Sequence, residues 1–317
     1  MPNKVLVYSR FPKAQMVRFG QRFELLDAAG KPPLDVFAAD ELAGVTAMIT
    51  AGGTPLGGEV MDQLPKLGTI VCYGTGYDGL DLQAAAQRKI AVGHSPGANA
   101  SSVADIALTL MLAVTRRLLP ADDYVRSGAW SGRKASPMMR PQPGMQGRRV
   151  GVYGMGEIGR KIAARVAAFE TEVGYFSRSK HDLPYQYLPS LEALAEWCSI
   201  LMIAVRAGPD TNHAVDAGIL QKLGADGYVV NISRGSVIDQ QALVTALADT
   251  TIAGAGLDVY AREPHAPDAL TAFPNVVLTP HTGGHTLESH VAMQDCVMAN
   301  LEAYFAGKPL PYEVRTA

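Results

Sequence analysis

The sequence predicts an α/β protein of two Rossmann-like or flavodoxin-like domains, each a doubly wound parallel sheet. Two observations carry that prediction. Short apolar runs alternate with segments of helical spacing along most of the chain, the pattern of parallel strands joined by crossover helices. A glycine fingerprint, Gly154-Met155-Gly156-Glu157-Ile158-Gly159, lies between one such run and an alanine-rich helix, near the middle of the 317 residues. A second series of strands begins there. The length suffices for two full cores.

Taken in order, residues 5–8, 34–37, 46–49, 70–73 and 90–92 read as strands followed by turn residues, and 16–28 and 80–88 have helical spacing. Apolar strands of this kind need cover on both faces. They make one small α/β domain up to about His94. Residues 99–128 read as a helix in which Val103, Ile106, Leu108, Leu110, Met111, Leu112 and Val114 leave no clearly polar face, with Ser102 and Asp105 at capping-box spacing. A helix apolar all round is buried, and its expected place is between domains or subunits. Residues 131–147 are rich in Pro, Gly, Met and Arg and form a long loop, of a length uncommon without a task.

The second domain starts at Val150. Residues 150–153, 173–176, 200–205, 228–232, 254–257 and 276–278 read as strands, and all but the last lead into a turn and a helical pattern. That is the layout of two mononucleotide-binding halves. A final helix from about Thr286 to Phe305 stops at Gly307, a residue suited to a C-terminal cap. With no strand after it, this helix is expected to return to the first domain.

Composition narrows the function. Hydrophobic residues make up 48%, charged residues 18%, and the formal net charge is −2, which excludes a polybasic partner for nucleic acid or membrane. Cys72, Cys198 and Cys296 are widely spaced in apolar runs, as expected of buried reduced thiols rather than metal ligands. Residues 1–10 read as a first strand rather than a signal peptide, and the longest apolar run, 106–114, is too short to span a bilayer. A cytoplasmic protein is expected.

Each glycine of the fingerprint has a physical task. Gly154 permits a tight turn, Gly156 lets a pyrophosphate approach the backbone, and Gly159 lets helix and strand pack closely. The free amides at the helix start, those of Met155, Glu157 and Ile158 among them, then face the phosphates. An NAD site usually carries Asp or Glu at the end of the next strand, on the ribose 2′-hydroxyl. Here that position reads Ser177-Arg178-Ser179-Lys180, while Glu170 and Glu172 precede the strand and belong at its far end. Hydroxyls and a guanidinium would bind a 2′-phosphate that a carboxylate would repel. Two charge-assisted hydrogen bonds, roughly 1.5–3 kcal/mol each, give a preference on the order of a hundredfold or more for NADP(H).

Three later strand ends carry chemistry: Asn231-Ile232-Ser233-Arg234-Gly235, Leu257-Asp258 through Glu263-Pro264, and Thr279-Pro280-His281-Thr282-Gly283-Gly284. Open α/β sheets bind ligands at such ends. Arginine offers a permanently charged fork for a carboxylate and carbonyl, histidine delivers a proton near neutrality, and a carboxylate orients it. Taken singly, Arg234, Glu263 and His281 each have a plainer reading as a structural ion pair, a helix-end charge and a turn histidine. Metal binding by His281, His285 and His290 is disfavoured by Gly283 and Gly284, which break the helix such spacing needs.

Together these stretches, with the earlier Val71-Cys72-Tyr73-Gly74-Thr75-Gly76-Tyr77-Asp78, resemble the D-isomer-specific 2-hydroxyacid dehydrogenases over nearly the whole length. The resemblance implies Arg234 as the substrate-binding and polarising residue, Glu263 as partner of the acid and His281 as proton donor. It implies Asp258 on the nicotinamide carboxamide side, Val205, Ile232 and Ser233 along the cofactor, and the amides around Thr75 and Gly76 for the substrate carboxylate. It also implies a split topology, with 1–98 plus 285–317 binding substrate, 99–284 binding the dinucleotide, and the active site in the cleft. The family's usual homodimer would place the long apolar helix and the following loop at the subunit contact. The Ser177-Arg178-Ser179 turn resembles the NADPH-dependent glyoxylate/hydroxypyruvate and hydroxyphenylpyruvate reductases.

Two departures stand out. Val205-Arg206 replaces a frequent Cys-Pro and sets a cation toward the adenine side, and Glu170 replaces a frequent glycine at a helix end. The expected reaction is NADPH-dependent reduction of a small 2-keto acid, glyoxylate or hydroxypyruvate, to a D-2-hydroxy acid. An alternative is a reductase of bulkier acids of the phenylpyruvate or 2-ketogluconate kind, with Gly52, Gly53 and Met138-Met139-Arg140 beside the larger tail. A rival from a different class is an NADP(H)-sensing scaffold without turnover; the intact Arg, Glu and His set weighs against it.

Overall fold

The computed structural model describes residues 2–132, 141 and 143–314. The chain forms two compact units, Met1–Asn99 with Gly284–Ala317, and Ala100–Gly283. In the first unit the order is β1 (Lys4–Val7), α1 (Lys13–Gly20), β2 (Glu24–Asp27), α2 (Ala39–Leu42), β3 (Ala47–Ala51), α3 (Gly58–Met61), β4 (Thr69–Tyr73), α4 (Leu82–Gln87) and β5 (Ala91–Gly93). The five strands are parallel in the order β2-β1-β3-β4-β5, the flavodoxin-like arrangement. Alternate residues serve opposite layers. Leu6, Met48, Ile70 and Cys72 pack on one face, and Val5, Ile49 and Val71 pack on the other against Phe19.

The second unit runs α5 (Ala100–Thr115), α6 (Leu118–Arg126), β6 (Arg149–Tyr153), α7 (Glu157–Ala167), β7 (Glu172–Phe176), β8 (Gln186–Tyr187), α8 (Leu191–Trp197) and β9 (Ile200–Ile203). It continues with α9 (Ala217–Leu223), β10 (Tyr228–Asn231), α10 (Gln240–Ala248), β11 (Gly254–Leu257), α11 (Asp268–Thr271) and β12 (Val276–Leu278). Seven parallel strands lie in the order β12-β11-β10-β9-β6-β7-β8. The order reverses beside β6, so the crevice for a ligand opens at the C-terminal ends of β6 and β9. The last helix, α12 (Leu287–Phe305), returns to the first unit, where Met293, Val297 and Leu301 cover the Val5 face. Thr286 caps its start by accepting from the Ser289 amide, and Gly307 takes φ +68° past its end.

Several expectations are corrected. Residues 34–37 are not a strand: Pro33–Asp35 is a 3-10 turn, where Pro32 and Pro33 have no N–H to give a ladder. The strand β2 lies inside the stretch expected to be helical, because α1 already ends at Gly20. Ser102 and Asp105 form no capping box. Ser102 sits inside α5 and donates to the Gly283 carbonyl at 2.5 Å, and Asp105 pairs with Arg165 at 2.8 Å.

The single helix expected over 99–128 breaks at Arg117, whose φ of +51° is left-handed. Much of the half before the break is core. α5 packs on β10, β11, β12 and α7, and a Cβ on Gly256 would lie 2.9 Å from Leu110 Cβ, so the glycine strand admits the helix. No residue of α6 is buried. Cys72 and Cys198 are buried, Cys296 only partly, and all three are free thiols. Met138-Met139-Arg140 lies outside the described residues. Among those described, no helix is long and apolar enough to cross a membrane.

Candidate active site

The fingerprint forms the β6–α7 turn. Gly154 takes φ +99°, and a Cβ there would meet the Val205 backbone at 2.6 Å. A Cβ on Gly159 would lie 1.9 Å from the Gly154 carbonyl oxygen. Gly156, the residue before α7, has open space where its Cβ would be, which is where a phosphate needs to come close. Met155 is buried beneath the turn, Ile158 is half-buried, and Glu157 stands exposed at the first helical position.

At the end of β7, Ser177 Oγ donates to the Ser179 carbonyl at 2.7 Å, and Arg178, Ser179 and Lys180 are exposed. At the end of β9, the Val205 carbonyl accepts from Ser233 Oγ, which fastens that loop to the one after β10. Ile232 is buried behind them. Open space at Gly156 and amides at a helix start fit a nicotinamide dinucleotide. The Arg206 guanidinium is lowered from its usual range by burial and then by the like charge of Arg234. Its charge therefore bears on Arg234, not only on the adenine side where the sequence put it.

Arg234, Glu263 and His281 come together. Asn231 orders the loop after β10: its Oδ1 accepts from the Ser233 amide at 3.0 Å, and its Nδ2 donates to the Arg234 carbonyl at 2.9 Å. Gly235 follows because a Cβ there would lie 1.8 Å from the Tyr260 carbonyl carbon. His281 Nδ1 stands 2.7 Å from Glu263 Oε2, and Glu263 Oε1 accepts from the Tyr260 amide at 3.1 Å. Burial alone would raise the Glu263 carboxyl. The hydrogen bond and charge of His281 outweigh it, aided by the Tyr260 amide and the Arg234 charge, and hold it below the usual carboxylate range. An ionised carboxylate only accepts, so Nδ1 carries a hydrogen and Nε2 is the nitrogen left for a substrate.

Asp258 has a task that sequence reasoning missed. Its buried carboxylate accepts from Thr279 Oγ1 at 2.6 Å and from the amides of Thr282 and Gly283 at 2.8 and 2.9 Å, while its carbonyl accepts from the His281 amide at 2.8 Å. The β12 loop carrying His281 is built around this one side chain. Tyr260 adds to it, donating to the Thr279 carbonyl at 2.9 Å; burial pushes its hydroxyl up to about 12. Its partners lie more than 20 residues further along the chain, so no local signal in the sequence marked the role. Among the described residues no group of three His, Cys, Asp or Glu is placed to hold a metal.

In the first unit, the loop after β4 carries Thr75 and Gly76. Thr75 Oγ1 reaches Asn99 Oδ1 at 2.8 Å, and the Thr75 carbonyl accepts from His94 Nδ1 at 3.0 Å. Neither His94 nor Asn99 was singled out from the sequence. Neither the Thr75 nor the Gly76 amide donates to another described residue. Gly52 is fixed by space, since a Cβ would lie 1.7 Å from the Gly76 carbonyl oxygen, whereas Gly53 faces open space.

Comparison with known proteins agrees with this geometry. Residues 108–283 match the family model of the D-isomer specific 2-hydroxyacid dehydrogenase NAD binding domain. The chain is 41% identical over 273 residues to a 2-ketogluconate reductase of Gluconobacter oxydans, covering 86% of each. It is 38% identical over 291 residues to the hydroxyphenylpyruvate reductase of Plectranthus scutellarioides, covering 92% of each. Among solved structures it is similar to the NADPH-dependent glyoxylate/hydroxypyruvate reductase of Sinorhizobium meliloti in complex with NADP and malonate, with TM-score 0.91, 35% identity and full coverage of both chains. With its fold, its nucleotide crevice and its sequence in agreement, the chain belongs to the D-isomer-specific 2-hydroxyacid dehydrogenase family.

Proposed function

We propose that the protein is an NADPH-dependent reductase of small 2-keto acids, glyoxylate and hydroxypyruvate, forming D-2-hydroxy acids. The observation that carries this reading is the His281–Glu263 pair, with Arg234 near enough for its charge to act on Glu263. When bound, NADPH supplies a hydride to the carbonyl carbon. Arg234 holds the substrate carbonyl and takes up the negative charge that develops on its oxygen. His281 presents a proton at Nε2 to that oxygen, and Glu263 keeps the imidazole oriented. The Thr75 and Gly76 amides receive the substrate carboxylate. Asp258 holds the His281 loop and lies on the nicotinamide side; Val205, Ile232 and Ser233 line the cofactor. Gly154, Gly156 and Gly159 admit the pyrophosphate, and Ser177, Arg178 and Ser179 bind the 2′-phosphate.

The second reading is a reductase of bulkier 2-keto acids. The open space beside Gly53 favours it, as do the relatives named for 2-ketogluconate and hydroxyphenylpyruvate. A panel of glyoxylate, hydroxypyruvate, 4-hydroxyphenylpyruvate and 2-ketogluconate with NADPH separates the two. The first two acids are expected to give the highest kcat/KM, and a reversed order establishes the bulkier class. We place the enzyme in the cytoplasm as a homodimer, joined through the exposed apolar residues Leu118, Leu119, Val125 and Trp130.

A further inference from the structure

Arg160 lies on α7 one turn beyond Glu157, and its Nη2 donates to His181 Nδ1 at 3.1 Å. A guanidinium has only donors, so this ring nitrogen is the acceptor, and the imidazole is neutral with its hydrogen on Nε2. His181 is itself fixed. Its amide donates to Tyr175 Oη at 2.8 Å, and the Tyr175 hydroxyl donates to the His181 carbonyl at 3.0 Å. Tyr175 is fully buried in β7, so His181 is pinned to the sheet at both backbone groups. The turn Ser177-Arg178-Ser179-Lys180 lies between these two residues. The arrangement therefore closes the turn and brings a helix-borne guanidinium to its end.

The charges around the turn are unbalanced. Arg18, Arg22, Arg88, Arg126 and Arg165 each pair with a carboxylate. Among the described residues Arg160, Arg178 and Lys180 pair with none; neither Asp182, the nearest acid in sequence to the turn, nor Glu157, one turn from Arg160, pairs with any of them. A neutral imidazole leaves the Arg160 charge intact. Three cations and two serines around one turn suit a phosphate monoester, which carries close to two charges and accepts at three oxygens.

We propose that Arg160 is a second guanidinium of the 2′-phosphate site, positioned by His181, and that this pair acts with Arg178 to set how strongly NADPH is preferred over NADH. The proposal rests on the NADPH reading above. Arg160 binds; His181 is a positioning residue that holds the guanidinium through Nδ1.

The test measures KM for NADPH and for NADH in the wild type and in Arg160→Gln, Arg160→Lys, His181→Ala, His181→Gln and Arg178→Ala. Arg160→Gln is expected to raise KM for NADPH roughly tenfold or more, while KM for NADH changes by less than about twofold. Arg160→Lys restores part of the loss, since it keeps the charge without the fork. His181→Ala gives a smaller loss of the same kind, and His181→Gln, which keeps an acceptor, gives less still. Adenosine 2′-monophosphate, used as a competitive inhibitor, weakens with Arg160→Gln, and adenosine 5′-monophosphate does not.

Equal rises for both cofactors mean a structural role and overturn the proposal. An unchanged KM for NADPH in Arg160→Gln, with the preference abolished by Arg178→Ala, overturns it while the NADPH reading stands. A wild type indifferent between the cofactors overturns both. Should Arg160→Gln fail to fold, the comparison of His181→Ala with His181→Gln decides on the same criterion.

Discussion

His281 holds a left-handed backbone, φ +53°, that costs a non-glycine residue about 1–2 kcal/mol. The residue is held there because Asp258 gathers its amide and those of the next two residues, and Glu263 takes its ring. Replacing His281 with Ala is expected to lower kcat by about 10²–10⁴ while cofactor binding, read by NADPH fluorescence, persists. Glu263→Gln removes the carboxylate that takes the His281 ring and is expected to lower kcat/KM, with cofactor binding unchanged. The depressed Glu263 carboxyl adds stability that is complete above the ordinary carboxylate range and is lost as pH falls through its folded value. Glu263→Gln therefore flattens the acid side of a Tm-against-pH curve.

At the scale of elements, close approach and helix ends decide. Phe169 and Glu170 follow the end of α7, and Glu170 takes φ +60° at an exposed site where a glycine is at ease. The departure from the family's glycine thus carries a local cost. Glu170→Gly is expected to stabilise the 100–283 unit by about 1 kcal/mol, raising its Tm by about 2–4 °C in calorimetry. Gly256→Ala acts in the opposite sense. Its Cβ would press on Leu110 Cβ at 2.9 Å, and loss of about 1–3 kcal/mol is expected in denaturant titration.

For the molecule as a whole, the legible parts of the sequence were those whose signal is local. The strands β6, β7, β9, β10, β11 and β12 were legible because strands covered on both faces are continuous apolar runs. β2 was not, because Glu24 and Asp27 are exposed at its ends and only Leu25 and Leu26 are half-buried. The polar two-residue β8 gave no run at all. Arg234, Glu263 and His281 were legible as charged groups at strand ends. The anchoring by Asp258, the His94 contact to Thr75 and the Arg160–His181 bond were not, since each joins groups about 20 residues apart through the fold. Assembly belongs to this scale too. With the homodimer proposed above, charge placed at Leu119 and Val125, as Leu119→Glu with Val125→Glu, is expected to halve the mass seen by sedimentation equilibrium.

Oxidation of NADPH by the purified protein, followed at saturating glyoxylate and hydroxypyruvate and repeated with His281→Ala, tests the catalytic assignment most directly. The wild type is expected to turn over both acids to D-2-hydroxy products, with NADH a poorer donor, and the variant to fall by about 10²–10⁴. Wild-type turnover in the variant, or no turnover of any 2-keto acid by the wild type, would contradict it.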